Sequence, residues 1–253
     1  MTSHFPASTP AALDPLYLAA TSLTTFDGTR SMTNASGFFF ERDRRLYLVT
    51  SRHVLFDEPT GHHPDRLEIV VHTHPQDLTR YVHYSMPLYT RGVAIWHQGQ
   101  DGGGPIDVAA IQIDRTHLPA EAVFSAFTPE HLSDSYESVA ADASLRIVGF
   151  PLGFRDTVHQ LPVLRQAAVA SPYGIRFQGK GLFLTDARTH RGTSGAPVVM
   201  RQNMPSGHPL HWSLLGVHSA RMDMGNRDRE QDESLGLNST WYAQILLTLT
   251  QPR

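Results

Sequence analysis

Short apolar runs separated by turn residues constrain the fold of this chain more than any other feature. Few segments sustain a helical period for three turns, whereas β-branched and aromatic residues recur in runs bounded by Gly, Pro, Asp or Asn. Such runs are typical of half-buried or buried strands. We predict strands at residues 17–25, 36–41, 45–49, 67–73, 81–88, 92–97, 107–113, 145–150, 163–171, 182–185, 196–201 and 212–219. Short strands without regular alternation with helices predict an all-β sandwich or barrel.

The predicted strands fall into two groups, separated by residues 119–133, which mix Pro, Glu, Ala and Phe without strand alternation. This pattern predicts a connection between two domains. A terminal helix is predicted over residues 239–249, because Ser239 and Thr240 offer capping hydroxyls before an apolar run. We therefore expect the following organisation: a flexible leader at 1–14, a first β-barrel at 15–118, a connection at 119–140, and a second β-barrel with a terminal helix at 141–253.

Composition excludes several classes of protein. With 40% hydrophobic and 18% charged residues, the 253-residue chain is not of the disordered class. A net charge of −3 without a basic block argues against a nucleic-acid partner. The absence of cysteine excludes thiol catalysis and disulfide frameworks. No apolar stretch approaches the roughly 18–20 residues that span a bilayer, and the N-terminus lacks a signal pattern. We expect no membrane partner and a cytoplasmic location.

The strongest local signal is the sequence Arg-Gly-Thr-Ser-Gly-Ala-Pro at residues 191–197, which leads into a predicted strand. A serine between glycines can lie on a tight turn with its hydroxyl exposed. The N–H groups of Gly192 and Ser194 could then bind an oxyanion. Because Gly/Ser turns are common, the sequence taken alone is compatible with a structural turn as well.

A serine nucleophile needs a base, and the base needs an orienting carboxylate. Among the 15 histidines, His53 follows a predicted strand and lies on what we predict to be a single helical turn. Asp107 opens an apolar strand, where an acid is costly to bury without a partner. Asp114, at the far end of that strand, is predicted to cap a turn, and Asp101 to be solvated.

Three blocks in this order resemble the triad blocks of the chymotrypsin-fold serine proteases: residues 50–53, 106–109 and 192–197. Residues 148–153 look like the Gly-aromatic-Pro turn that follows the first strand of the second barrel. Residues 184–187 are similar to the Thr-Asp-Ala of the bacterial HtrA-like branch. The resemblance implies two perpendicular six-stranded antiparallel β-barrels with the active site in the cleft between them. HtrA-like proteins also carry PDZ domains; here we expect a protease domain alone, because the predicted terminal helix ends near residue 250.

The same resemblance implies a role for each site residue. Ser194 attacks the scissile carbonyl, His53 transfers the proton, Asp107 orients His53, and the N–H groups of Gly192 and Ser194 form the oxyanion hole. Ser219, in a strand that looks like the pocket-lining strand, is expected to bond the triad carboxylate or the substrate backbone. The implied partner is a protein or peptide substrate, and a regulatory protein partner is compatible with the resemblance. No cofactor and no metal are expected.

The residues of the specificity pocket leave two alternatives open. A threonine five residues before Ser194, here Thr189, together with a histidine in the pocket-lining strand, here His218, resembles the pattern of the glutamyl endopeptidases. Those enzymes prefer an acidic residue on the N-terminal side of the cleaved bond (P1). Together with Arg188, these two residues could supply donors to a carboxylate that enters a partly desolvated pocket. If Arg188 points to solvent and His218 packs in the core, a small or apolar P1 residue is expected instead.

Three other functions compete with that of a protease. A protease-fold module without activity would serve as a binding protein. A metal site would have to use His62, His63, His72 and His74, a spacing that does not suit one tetrahedral ion. An α/β-hydrolase would need its histidine after the serine, whereas His53 precedes Ser194.

Thr193 generates a prediction about maturation. Trypsin-type zymogens carry an aspartate just before the nucleophile, which captures a newly cut N-terminus, and here that position is threonine. We predict that activity needs no proteolytic maturation, which is checked by assaying the intact chain. Inert intact protein that becomes active after clipping would contradict this.

Overall fold

Two antiparallel β-sheets dominate this computed structural model, which describes residues 13–133, 135, 139–202, 209–222 and 235–251. The elements of the described residues are, in chain order, α1 (Leu16–Ala19), β1 (Ala20–Asp27), β2 (Arg30–Arg42), β3 (Arg45–Thr50), α2 (Arg52–Leu55), β4 (Arg66–His72), β5 (Tyr81–Pro87), β6 (Tyr89–Thr90), β7 (Val93–Ala94), β8 (Trp96–Asp101), β9 (Gly104–Ile113), β10 (Ser144–Gly149), β11 (Val163–Val169), β12 (Leu182–Asp186), β13 (Pro197–Arg201), β14 (Trp212–Arg221), β15 (Leu237–Tyr242) and α3 (Ile245–Leu249). The predicted leader falls largely in residues 1–12, outside the described part of the chain.

The first sheet has seven strands in the order β5-β4-β1-β2-β3-β9-β8. Strand β3 pairs with β9 in a register that sets Thr50 opposite Ala109. Because the two strands are antiparallel, the residues that follow Thr50 lie near the residues that precede Ala109. The register therefore brings α2, which carries His53, next to Asp107.

The second sheet is a closed barrel of six strands in the order β10-β11-β12-β15-β14-β13. Its interior is filled by apolar side chains that include Ile147, Phe183, Val198 and Leu215. The predicted all-β class is confirmed by this barrel and the separate first sheet. The first sheet has one strand more than the six predicted, and no strand pairing joins β5 to β8 among the described residues.

One apolar cluster joins the two sheets. It contains Phe38 and Val108 from the first sheet together with Val148 and Leu214 from the barrel, and all four are less than 1% exposed. Apolar burial is the dominant favourable contribution to such packing. The cleft between the sheets is therefore formed over a shared core.

The predicted terminal helix over residues 239–249 is wrong in its first half. Residues Leu237–Tyr242 form β15, which pairs with both β12 and β14 and so closes the barrel. The sequence Ser-Thr-Trp-Tyr carries β-branched and aromatic side chains that suit a buried strand. The helix begins only at Ile245 and ends at Leu249. The first predicted strand also begins later, at Ala20, because Leu16–Ala19 form α1.

The segment between the two groups of strands packs on the first sheet. Phe127 donates its N–H to Phe39 O, and Glu41 donates its N–H to Phe127 O. The Phe127 ring is fully buried and meets the Phe38 ring edge to face, with 5.7 Å between the centroids. No helix in the described ranges is long and apolar enough to cross a membrane.

We predict that Phe127→Ala lowers the free energy of unfolding by about 3–5 kcal/mol, because it removes a fully buried aromatic ring and leaves a cavity. The exposed Glu121, on the same segment, provides a matched control, and Glu121→Ala should change this free energy by less than about 0.5 kcal/mol. Urea unfolding of both variants measures the difference. Equal midpoints would show that the segment does not anchor the fold.

Candidate active site

His53 and Asp107 form a doubly hydrogen-bonded pair at the mouth of the cleft. His53 Nδ1 lies 2.7 Å from Asp107 Oδ2, and the His53 backbone N–H donates to Asp107 Oδ1 at 2.8 Å. As predicted, His53 lies on a single helical turn, α2. Because Nδ1 is engaged by the carboxylate, Nε2 is the ring nitrogen left for a reacting group.

Ser219 reaches the same carboxylate from the barrel. Its hydroxyl donates to Asp107 Oδ2 at 2.5 Å. The pairing of β14 with β15 shifts register between His218 and Ala220, so Ser219 lies at a bulge. Bulges re-aim side chains next to functional sites. Asp107 thus accepts hydrogen bonds from both sheets.

These contacts raise the pKa of His53 and lower the pKa of Asp107. Burial alone would lower the pKa of His53, but the hydrogen bond and the negative charge of Asp107 raise it above 6.5. Burial would raise the pKa of Asp107, but the hydrogen bonds from His53 and Ser219 and the charge of His53 lower it below 3.8. Proton binding at His53 therefore stabilises the fold fully below pH 6.5, and this contribution is lost as the pH rises through the raised pKa. The Asp107 contribution is present above pH 3.8 and is lost as the pH falls through the lowered pKa.

Ser194 lies on a tight turn in which the next position, 195, has room only for glycine. Gly195 has φ +85°, and a Cβ there would lie 2.2 Å from both Ser36 O and Thr50 Oγ1. The turn is held by hydrogen bonds from Gly195 N–H to His218 O at 2.8 Å and from Ser36 N–H to Ser194 O at 2.9 Å. The first sheet thus approaches the backbone of the candidate nucleophile closely.

The Ser194 hydroxyl shares the cleft with His53 but does not bond it. It donates instead to Ser219 O at 2.9 Å. Ser194, His53 and Gly192 line one pocket of about 650 Å³. The hydroxyl therefore has to be released from Ser219 O before it can donate to His53.

The backbone before Ser194 presents two free donors. Among the described residues, no backbone or side-chain group accepts the N–H of Gly192 or of Ser194, whereas Thr193 N–H bonds His190 O at 3.2 Å. Gly192 has φ +89°, and a Cβ there would lie 2.6 Å from Phe150 O. The two N–H groups are therefore available to an anion.

A second pocket, of about 600 Å³, lies beside this turn and is lined by Arg188, Thr189 and Arg221 among others. Both arginines are exposed, and neither makes an ion pair with a described residue. Thr189 donates its hydroxyl to Asn238 Oδ1. Asp186 also lines the pocket, so the described part of its lining carries two arginines and one carboxylate. Arg221 was not singled out from the sequence, where it only ends a strand.

His218 is buried in the barrel rather than lining either pocket. It is 2% exposed, and its Nδ1 has no hydrogen-bond partner among the described residues. Burial, with a smaller effect of His53, lowers the pKa of His218 to about 3. The ring is therefore neutral at physiological pH.

The remaining candidates from the sequence have structural partners. Asp114 accepts Thr116 N–H and caps a turn, as predicted. Asp101, expected to be solvated, instead forms an ion pair with Arg176, in the connection between β11 and β12. His62 and His72 bond the carbonyls of Val54 and His159. Within the described ranges, no group of three His, Asp or Glu residues could hold a metal ion.

Comparisons with known proteins agree with the fold. A family model described as trypsin-like peptidase domain matches residues 35–204. The serine endoprotease from Yersinia pestis is similar in structure, with a TM-score of 0.55 and 16% identity over 97% of this chain and 66% of that one. The structure of the HtrA-type protease AlgW with tripeptide has a TM-score of 0.54 and is 14% identical, and the match covers 94% of this chain and 62% of that one. This chain thus spans less than two thirds of those structures. No curated protein matches the sequence.

We predict that Asp107→Asn lowers the pKa of His53, because the substitution removes the carboxylate charge that offsets burial. NMR titration of the His53 ring, assigned with a His53→Gln variant, measures the midpoint. The unsubstituted protein should titrate above 6.5 and the Asn variant at lower pH. An identical midpoint in both would mean that Asp107 does not govern the imidazole.

Proposed function

The chain belongs to the trypsin-like peptidase domain family, and on that premise we propose that it is a serine endopeptidase with Ser194, His53 and Asp107 as its catalytic triad. The observation that carries this proposal is the 2.7 Å contact between His53 Nδ1 and Asp107 Oδ2, in a cleft that Ser194 also lines. The substrate class is a protein or peptide.

In the proposed mechanism, Ser194 Oγ attacks the scissile carbonyl carbon while its proton passes to His53 Nε2. The Asp107 carboxylate stabilises the imidazolium that forms, because it already accepts two hydrogen bonds from His53. His53 then gives the proton to the leaving amine. Water hydrolyses the acyl-enzyme by the same route, and Ser194 regains its proton.

The N–H groups of Gly192 and Ser194, which no described residue accepts, support the proposed oxyanion hole. Charge on the carbonyl oxygen grows during the attack, so donors at that position act most strongly in the transition state. Each such donor contributes roughly 10²–10³ in rate. Before attack, the Ser194 hydroxyl must leave Ser219 O, to which it donates at 2.9 Å.

We predict that Ser194→Ala abolishes both peptide hydrolysis and covalent labelling by a fluorophosphonate, with hydrolysis falling by roughly 10⁴-fold or more. Ser85, exposed on β5, provides a matched control, and Ser85→Ala should retain labelling. Protein that is folded yet unlabelled before any substitution would favour the rival function, an inactive protease-fold binding module.

We further propose that the enzyme prefers Glu or Asp at P1. Support comes from Arg188 and Arg221, two cations without ion-pair partners among the described residues, at a pocket whose described lining includes one carboxylate, that of Asp186. A substrate carboxylate would neutralise the surplus charge and accept charge-assisted hydrogen bonds. Thr189 and His218 contribute less than the sequence suggested. The Thr189 proton is engaged by Asn238, and His218 is neutral and buried.

We predict that a P1 Glu substrate exceeds its Gln counterpart by about tenfold in kcat/KM at low salt, which corresponds to about 1.4 kcal/mol. Arg221→Ala and Arg188→Ala should each reduce this ratio, whereas Arg45→Ala, at the exposed start of β3, should not. Raised ionic strength should also reduce the ratio, because it screens exposed charges. If substrates with Ala, Val or Leu at P1 had a kcat/KM tenfold higher than the Glu substrate, the preference for a small or apolar P1 residue would be established instead.

A further inference from the structure

Ser36 is a fully buried serine of β2, and every polar group it carries is bonded. Its hydroxyl donates to Gly192 O at 2.7 Å and accepts Phe150 N–H at 2.9 Å. Its N–H donates to Ser194 O at 2.9 Å, and its carbonyl accepts Thr50 Oγ1 at 2.8 Å. One residue of the first sheet thus binds both ends of the segment from Gly192 to Ser194.

The bond to Gly192 O fixes the peptide unit that joins Gly192 to Thr193. In a trans peptide the C=O and N–H point in opposite directions. With the carbonyl held by Ser36, Thr193 N–H faces His190 O, which it bonds. The preceding peptide is fixed in the same way, because Arg191 O accepts Leu152 N–H. Gly192 N–H is thereby directed away from Leu152.

Without the Ser36 hydroxyl, the peptide between Gly192 and Thr193 could turn over, because glycine has no side chain to oppose the rotation. Its carbonyl would then point toward His190 O, where Thr193 N–H now donates, and the adjoining backbone that carries the Gly192 and Ser194 N–H groups would have to shift. The Thr193 side chain adds no restraint, since its hydroxyl is buried without a partner among the described residues, and the bond from Thr193 N–H to His190 O is the one that remains on this peptide. A threonine also cannot form the ion pair that an aspartate at this position makes with a free N-terminus.

The neighbouring backbone leaves room for this hydroxyl. A Cβ at Gly149 would lie 2.6 Å from Ser36 Oγ. Any larger residue at 149 would displace the hydroxyl from the place where it meets both Phe150 N–H and Gly192 O. Gly149 is therefore a second position from which the same contact can be disturbed.

From these contacts we propose that Ser36 is the positioning residue that keeps the oxyanion hole formed, in place of a zymogen-type ion pair at position 193. The inference rests on the proposed function, which assigns the hole to Gly192 and Ser194. It gives a physical reason for the prediction that the oxyanion loop, residues 190–195, needs no newly cut N-terminus.

The kinetic test compares Ser36→Ala and Gly149→Ala with Thr21→Val. Thr21 is a matched control, because its buried hydroxyl donates to Val70 O at 2.8 Å in the same sheet but away from the cleft. We expect kcat to fall about tenfold or more in the first two variants, with KM within about threefold and weaker inhibition by a peptidyl boronic acid. Thr21→Val should retain kcat. Equal loss in all three, or a rise in KM alone, would overturn the inference.

A second measurement does not depend on activity. Hydrogen–deuterium exchange over residues 190–196, measured in the Ser194→Ala background, should become about tenfold faster when Ser36→Ala is added, with the strands of the barrel unchanged. Unchanged exchange would overturn the role of Ser36. If the unsubstituted enzyme neither hydrolyses peptides nor labels, the proposed function fails, while this exchange measurement still decides whether Ser36 holds the loop.

Discussion

The carboxylate of Asp107 is the group on which the site depends most. A carboxylate that is only 21% exposed is unfavourable unless hydrogen bonds replace its hydration. His53 supplies two of these bonds from the first sheet, and Ser219 supplies a third from the barrel. The same contacts fix the imidazole, raise its pKa and join the two halves of the molecule. Catalytic geometry and the stability of the cleft are therefore coupled through one side chain.

The nucleophile turn depends on the same interface between the sheets. Gly195 lies against Ser36 O and Thr50 Oγ1, so the turn from the barrel fits against β2 and β3 with no room for a Cβ. The carbonyls of Gly192 and Ser194 are bonded by Ser36. A displacement of one sheet against the other would therefore alter the nucleophile, the oxyanion hole and the base together.

Sequence patterns could predict the parts of the site that depend on local chemistry. Three local patterns indicated the triad: a serine between glycines, a histidine after a strand and an acid at the head of an apolar strand. The order of these blocks along the chain matched that of a known family. The register that sets Thr50 opposite Ala109 follows from antiparallel pairing, but the strand lengths alone did not fix it. The class of the fold was predictable because strand and turn residues alternate throughout the chain.

Other features depend on contacts between distant segments, which no local pattern records. Ser36 looks like one polar residue in a strand, and its role emerges only when β2 meets Gly192 across 156 residues. Arg221 ends the strand β14, and only the fold shows that it lines the same pocket as Arg188. The hydroxyls of Ser239 and Thr240 resemble helix caps and so predict a helix, whereas pairing with β12 and β14, which closes the barrel, makes this segment the strand β15. Tertiary pairing overrides local propensity at such places.

The most direct measurement is a crystal structure of the protein treated with a peptidyl trifluoromethyl ketone. The account predicts a covalent bond from Ser194 Oγ to the former carbonyl carbon. It also predicts the oxyanion within hydrogen-bond distance of the Gly192 and Ser194 N–H groups, with His53 still bound to Asp107. An inhibitor that occupies the cleft without a bond to Ser194, or an oxyanion turned away from Gly192, would contradict it.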